Sequence, residues 1–137
     1  MKIVQEQPKI IDQARRVFRL PQGAIFTMGD VIYNPSGNLI DLPTMRHEEI
    51  HSRQQGNYPE KWWQRYFNDK DFRKGQELEA YRTQYKEAKK LMLQELMSTA
   101  LDVNGAVSQM EADPETGAPG QPIFNMRYLA TRLVEAF

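Results

Sequence analysis

The only two histidines of the chain, His47 and His51, lie four residues apart in the stretch TMRHEEIHSRQQ, and Glu48 directly follows the first of them. In an α-helix, residues four apart lie on one face, so both imidazoles can point at a common site. Glu48 is rotated by roughly 100° and lies beside that site. Two imidazoles that hold a zinc ion, with a neighbouring carboxylate that reaches a water on the ion, form the HExxH arrangement.

The surroundings of the motif decide between this chemistry and a chance pattern. One stripe of such a helix contains His47, Ile50, His51 and Gln54, and the opposite side contains Glu49, Ser52 and Arg53. Packing the less charged face inward buries two imidazoles and an amide, which is costly unless their polar atoms are satisfied. A metal ion would satisfy them. The competing hypothesis, a helical adaptor with a chance motif, requires both histidines to be exposed.

A zinc site with three protein ligands needs one more donor, and the later stretch GQELEAYRTQYKEA offers Glu77 and Glu79. Helical periodicity separates the two glutamates. The apolar seam contains Glu77, Tyr81, Tyr85 or Gln84, Ala88, Met92 and Leu96. We therefore predict that Glu77 faces the core as the third ligand, while Glu79 faces solvent and pairs with Arg82 or Thr83. The alternative for Glu77 is an ion pair with an arginine.

Several predicted elements position these residues. Residues 42–55 favour a helix that begins at Asp41 or Thr44 as N-cap and ends at Gly56. A short amphipathic helix is predicted over residues 8–18, and a small hairpin or three-stranded sheet over residues 24–40. A helix over residues 59–68 carries four aromatic residues, of which we expect Trp62 and Trp63 to cover the core as a lid.

The longest helix is predicted over residues 71–101, with Gly75 as its weak point. Proline, glycine and acidic residues predict a surface loop over residues 110–123, before a final helix over residues 124–137. The chain is thus expected to form one α+β, mainly helical domain spanning residues 1–137, with its small sheet before the histidine helix.

Composition narrows the class of protein. The 40% of hydrophobic and 26% of charged residues suit a soluble globular protein, and no apolar run approaches a membrane span. The chain lacks a secretory signal pattern, so the cytoplasm is the expected compartment. With no cysteine, any metal must be held by His, Asp or Glu. The formal net charge of zero gives no reason to expect a nucleic-acid partner.

The order of strand, HExxH helix, connecting segment and glutamate-bearing helix resembles the zincin metallopeptidases, specifically the gluzincins. ELEA at residues 77–80 is similar to the ExEA(D) signature of gluzincin families, in which the first glutamate binds zinc. This resemblance covers residues 24–88. Tyr81 stands where an aspartate often follows, which leaves open the residue that orients a histidine; the candidates are Asp30, Asp41, Asp69 and Asp71. The stretches FTMGDVIYNPSGNLI before the motif and WWQRYFNDKDFRKGQELEAYRTQY after it resemble small metallopeptidases encoded by phages and prophages.

These observations predict a zinc-dependent peptidase that acts on a peptide or protein substrate. His47, His51 and Glu77 would hold Zn²⁺, which lowers the pKa of the water in its fourth position to about 7, and Glu48 would accept that proton. Tyr81 is the candidate donor to the oxyanion, unless it is only a core aromatic. The strand at residues 24–33 either aligns an extended peptide or is a plain hairpin. The alternative function is a catalytically silent zincin-like module for binding or assembly.

Overall fold

The computed structural model describes residues 1–101, which confirm the predicted α+β, mainly helical fold with a small sheet before the histidine helix. The predicted loop at 110–123 and helix at 124–137 lie outside the described residues. The elements, in chain order, are β1 (Lys2–Val4), α1 (Ile11–Val17), β2 (Phe26–Met28), β3 (Val31–Tyr33), α2 (Leu42–Gln55), α3 (Pro59–Asn68) and α4 (Lys70–Leu101). Within this part of the chain, no helix combines the length and apolar character that crossing a bilayer requires.

The sheet has the strand order β1-β3-β2. β2 and β3 form the predicted antiparallel hairpin, whose turn contains Gly29 at a φ of 58°. β1 runs parallel to β3, with Ile3 opposite Ile32. This strand was not predicted, because three residues at the start of the chain carry no periodicity of their own and their partner is distant in sequence.

Helix α1 is shorter than the predicted range of residues 8–18. It begins at Ile11, whose N–H donates to the carbonyl of Pro8 at 3.1 Å. It ends before Phe18, which has an extended backbone with φ of −127° and ψ of 151°. Pro8 and Phe18 therefore flank the helix instead of extending it.

Helix α2 has the predicted bounds, and Asp41 rather than Thr44 is its N-cap. The Asp41 carboxylate accepts a hydrogen bond from the Thr44 N–H at 2.8 Å. At the other end, Gly56 has a φ of 53° and a ψ of −129°, a conformation that favours glycine. These two ends set the position of the motif between them.

Helix α3 also has its predicted bounds, and Asp69 alone separates it from α4. The core cluster combines its buried aromatic residues with residues of α1 and β2: Ile10, Ala14, Phe26, Trp62, Trp63 and Phe67. The expected tryptophan lid is wrong, because Trp62 and Trp63 are only 6% and 7% exposed and belong to this core. α4 packs mainly along α2 and then against α3. This packing brings Glu77 of α4 to the two histidines of α2.

Candidate metal centre

Three side chains from α2 and α4 converge in the structure. The Nε2 atoms of His47 and His51 lie 3.0 Å apart. The Glu77 carboxylate meets both rings, with Oε2 at 3.3 Å from His47 Nε2 and Oε1 at 3.4 Å from His51 Nε2. Both histidines are only 6% exposed, and the Glu77 side chain is 13% exposed. The buried face predicted for α2 and the core-facing position predicted for Glu77 are both observed.

The separations among the three side chains fit a bound cation. A tetrahedral zinc site with bonds of about 2.0–2.2 Å places neighbouring donor atoms about 3.3–3.6 Å apart. The 3.3 Å from His47 Nε2 to Oε2 of Glu77 and the 3.4 Å from His51 Nε2 to Oε1 are of this size, and the 3.0 Å between the imidazole nitrogens is slightly shorter. Two imidazole nitrogens and one carboxylate are also a donor set of catalytic zinc sites. His47, His51 and Glu77 could therefore hold a metal ion.

The Gln54 side chain sets the tautomer of His51. Its amide nitrogen donates to the carbonyl of Gln76 at 3.0 Å and lies 3.3 Å from a carboxylate oxygen of Glu79. Its amide oxygen therefore faces Nδ1 of His51, at 2.9 Å, and accepts a hydrogen bond from the Nδ1–H group. The lone pair of neutral His51 is then on Nε2, the atom that faces Glu77 and His47.

His47 is held differently. Its Nδ1 atom is buried and has no hydrogen-bond partner among residues 1–101. The ring of Tyr81 packs edge-on against the His47 ring, with centroids 4.5 Å apart and an interplanar angle of 75°. Packing against Tyr81, rather than a hydrogen bond from Nδ1 to a carboxylate, therefore orients this imidazole.

Burial and mutual charge shift the pKa values of His51 and Glu77 in opposite directions. Burial lowers the pKa of His51, but the Glu77 carboxylate outweighs burial and raises this pKa to about 9. Burial raises the pKa of Glu77, but the two histidines outweigh it and hold this pKa well below its usual range. The ionised carboxylate is thus stabilised by positive charge on the imidazoles, and a metal ion would also supply such charge.

Tyr66 of α3 also contacts the third candidate ligand. Its hydroxyl group donates to Oε1 of Glu77 at 2.6 Å. Burial and the adjacent Glu77 carboxylate raise the pKa of Tyr66 well above its ordinary value, so the hydroxyl remains protonated as a donor. The carboxylate of Glu77 is consequently fixed by contacts from both α2 and α3.

Glu48, the candidate base, is 6% exposed and is held by β2. The hydroxyl group of Thr27 donates to Oε2 of Glu48 at 2.6 Å. The carbonyl of Thr27 accepts hydrogen bonds from Gln55 at 2.7 Å and from Trp63 at 2.8 Å. β2 is thereby attached to α2 and α3 at the residue that positions Glu48.

Sequence reasoning did not assign roles to Thr27, Gln54 and Tyr66. Gln54 could have been found, because it lies in the buried stripe of the motif helix. Thr27 and Tyr66 reach the site from other elements, and nothing in their local sequence indicates this.

Other predictions on polar partners need correction. The Glu79 side chain is 54% exposed as predicted, but it pairs with Arg53 of α2 at 3.6 Å rather than with its own helix. This happens because α2 and α4 lie side by side. In the core-facing seam, Gln84 is the buried residue at 6% exposure, whereas Tyr85 is 43% exposed.

The four aspartates expected to orient a histidine do not do so. Asp41 caps α2, and the carboxylate of Asp69 accepts from the N–H of Phe72 to cap α4. Asp30 and Asp71 are exposed. The role expected of an aspartate falls instead to Gln54, through its contact with His51.

The candidate ligands and the candidate base line one cavity of about 860 Å³. Tyr66 and Tyr81 also line it, together with residues 18–27 and residues 38–41. The volume lies within the range of small-molecule and peptide sites. An extended segment that enters this cavity would meet His47, His51, Glu77 and Glu48.

Comparisons with protein families, with curated proteins and with solved structures find no match to this chain. Function is therefore inferred from the side chains that meet in the cavity. The site combines the two imidazoles of α2, the Glu77 carboxylate of α4 that both imidazoles contact, and the Glu48 carboxylate, which lies on the same turn of α2 as the imidazoles.

Proposed function

We propose that the protein is a zinc-dependent peptidase in which His47, His51 and Glu77 hold the metal and Glu48 is the general base. The observation that carries this proposal is the convergence of three side chains, with contacts of 3.0 Å between the imidazole nitrogens and of 3.3 and 3.4 Å from these nitrogens to the two Glu77 oxygens, in the cavity that Glu48 also lines. A buried, purely structural ion pair would not need a second carboxylate beside it.

The donor set favours zinc or another transition metal over magnesium and calcium. Imidazole is a good ligand for zinc, copper, iron and nickel, whereas magnesium and calcium prefer oxygen ligands alone. With three protein ligands, a zinc ion would keep an open position, where it would lower the pKa of water and polarise a carbonyl group. Two imidazoles and one carboxylate are the protein ligands of several metallopeptidases.

The protein's own groups supply the proton transfers. Glu48, held by Thr27, takes a proton from the attacking water and returns it to the leaving amine. Tyr81 lines the same cavity one helical turn after Glu77 and is the candidate donor to the oxyanion. Its ring already packs against His47, so its position depends on the metal-binding helix.

The proposed substrate is an extended peptide or an unfolded protein segment. Part of the outer edge of β2 is not available to pair with it, because the Gln55 side chain donates to the Thr27 carbonyl and accepts from the N–H of Gly29. Residues 24–26, just before that point, line the cavity. A peptide that adds to the sheet would therefore pair there.

Two neighbouring glutamates provide the test. Glu48→Gln removes the base but keeps the size of the side chain, whereas Glu49→Gln changes a partly exposed residue that pairs with Arg46 at 2.8 Å. We expect Glu48→Gln to abolish cleavage of an unfolded protein such as casein while zinc is retained. Glu49→Gln should cleave like the wild-type protein.

The two other outcomes identify other functions. If wild type holds zinc but cleaves no peptide or protein, the chain is a catalytically silent module for binding or assembly. Equal cleavage by wild type and Glu48→Gln would contradict the assigned base. Metal content and cleavage rate are measured on the same preparations, so loss of activity is not confused with loss of metal.

A further inference from the structure

The two oxygens of the Glu77 carboxylate have different surroundings. Oε1 accepts the hydroxyl group of Tyr66 at 2.6 Å and lies 3.4 Å from His51 Nε2. Oε2 lies 3.3 Å from His47 Nε2. A carboxylate oxygen that accepts a short hydrogen bond has less electron density to give to a cation, so the two oxygens are unequal ligands.

The Tyr66 hydroxyl is fixed in place by the aromatic residues of α3. Its ring stacks on Trp62, with centroids 5.0 Å apart and an interplanar angle of 26°, and meets Phe18 edge-on at 5.9 Å. The Arg73 guanidinium donates to the Tyr66 carbonyl at 2.8 Å. Moving the ring, and with it the hydroxyl oxygen, would disturb its packing against Trp62 and Phe18.

We propose that Tyr66 is a positioning residue that makes Glu77 bind the metal through Oε2 alone and so keeps the fourth position open. This inference rests on the proposed metal site and adds a role for α3, the helix that carries Tyr66 and both tryptophans. A carboxylate that bound through both oxygens would fill the position that a catalytic site leaves to water. Because its only O–H is directed to Glu77, Tyr66 orients the ligand and does not donate to the substrate.

Metal binding to wild type, Tyr66→Phe and Tyr58→Phe tests this role. Phenylalanine keeps the ring of residue 66 and removes only its hydroxyl group. Tyr58 is 64% exposed just before α3, so Tyr58→Phe is a matched loss of one hydroxyl. Zinc affinity is measured by competition with a chelator, and the visible spectrum of the cobalt-substituted protein reports the number of ligands.

We expect cobalt in wild type and in Tyr58→Phe to give the intense visible bands of a four-coordinate ion. In Tyr66→Phe, zinc affinity should fall by about 10- to 100-fold, and the cobalt bands should weaken as both oxygens of Glu77 bind. Equal affinities and spectra in all three proteins would overturn the inference while leaving the metal site intact. Weak bands in wild-type protein would also overturn it, without reference to a variant. If wild type binds neither metal, the proposed function itself is wrong.

Discussion

Thr27 and Tyr66 hold the two carboxylates of the site. Each donates one hydroxyl group at 2.6 Å, Thr27 to Glu48 and Tyr66 to Glu77. Neither carboxylate is free to rotate without losing its hydrogen bond, buried for Glu48 and partly buried for Glu77, a loss of about 1–3 kcal/mol. The candidate base and the candidate ligand are thus preorganised by residues from two further elements.

Substitution of Thr27 should separate positioning of the base from metal binding. Thr27→Val keeps the shape of this buried side chain and removes the donor to Glu48, so we expect cleavage to fall by up to about 100-fold while zinc content stays unchanged. Thr27→Ser keeps a hydroxyl group and should retain most of the activity. The rate of casein cleavage and the bound zinc are measured for both. Full activity in Thr27→Val would show that Glu48 does not depend on this contact.

The pH dependence of the metal-free protein follows from His51. Its pKa is raised from 6.5 to about 9 in the folded state. The pairing of protonated His51 with Glu77 therefore contributes its full stability below about pH 6.5 and loses it as the pH rises through about 9. With a chelator present, we expect the Tm to fall over this window, and His51→Gln should flatten the change.

The stabilisation of the protein by zinc should depend on pH in the opposite direction. Because the ligands must lose their protons to bind the metal, the increase in Tm on adding zinc should grow over the same pH window. If the Tm of the metal-free protein, measured with a chelator present, is constant from pH 6.5 to 9, the pairing of His51 with Glu77 is contradicted.

At the scale of elements, α3 connects the parts of the site. Trp63 donates to the Thr27 carbonyl of β2 at 2.8 Å, and Trp62 donates to the Gln76 side chain of α4 at 2.7 Å. The Trp62 ring also packs 5.4 Å from the His51 ring, measured between centroids. The aromatic helix therefore sets the distance between the sheet and α4.

Two glycines should respond in opposite directions to alanine. Gly56 ends α2 with a φ of 53°. Residues with a side chain rarely adopt this backbone angle, so Gly56→Ala should destabilise the fold by about 1–3 kcal/mol. Gly75 lies exposed in α4, and an added Cβ atom meets nothing within 4 Å, so Gly75→Ala should stabilise it by about 0.5–1 kcal/mol. Urea unfolding measures both. Destabilisation by Gly75→Ala would contradict the helical environment of this residue.

At the scale of the whole molecule, the site draws on β2, α2, α3 and α4. The positions of the candidate ligands could be predicted because helical periodicity and caps are local: Asp41 and Gly56 bound the motif helix, and the apolar seam selects Glu77 over Glu79 for the buried face. The partners could not. The contacts of Thr27, Gln54 and Tyr66 depend on how the helices and the sheet pack, which no local pattern encodes.

Long-range packing also explains the errors. β1 is stabilised by a strand almost thirty residues away, with Lys2 opposite Val31. Glu79 pairs with Arg53 across two helices rather than within its own. In both cases the local pattern was compatible with several partners, and only the arrangement of elements selects one.

The zinc content of Glu77→Gln and Glu79→Gln tests the central claim most directly. Both variants make the same chemical change two residues apart, one at the carboxylate that meets both imidazoles and one at the exposed surface. The site predicts one zinc ion per chain in wild type and in Glu79→Gln, and a large loss of zinc in Glu77→Gln. A wild-type protein without zinc, or equal zinc in both variants, would contradict the assignment of His47, His51 and Glu77 as the metal ligands.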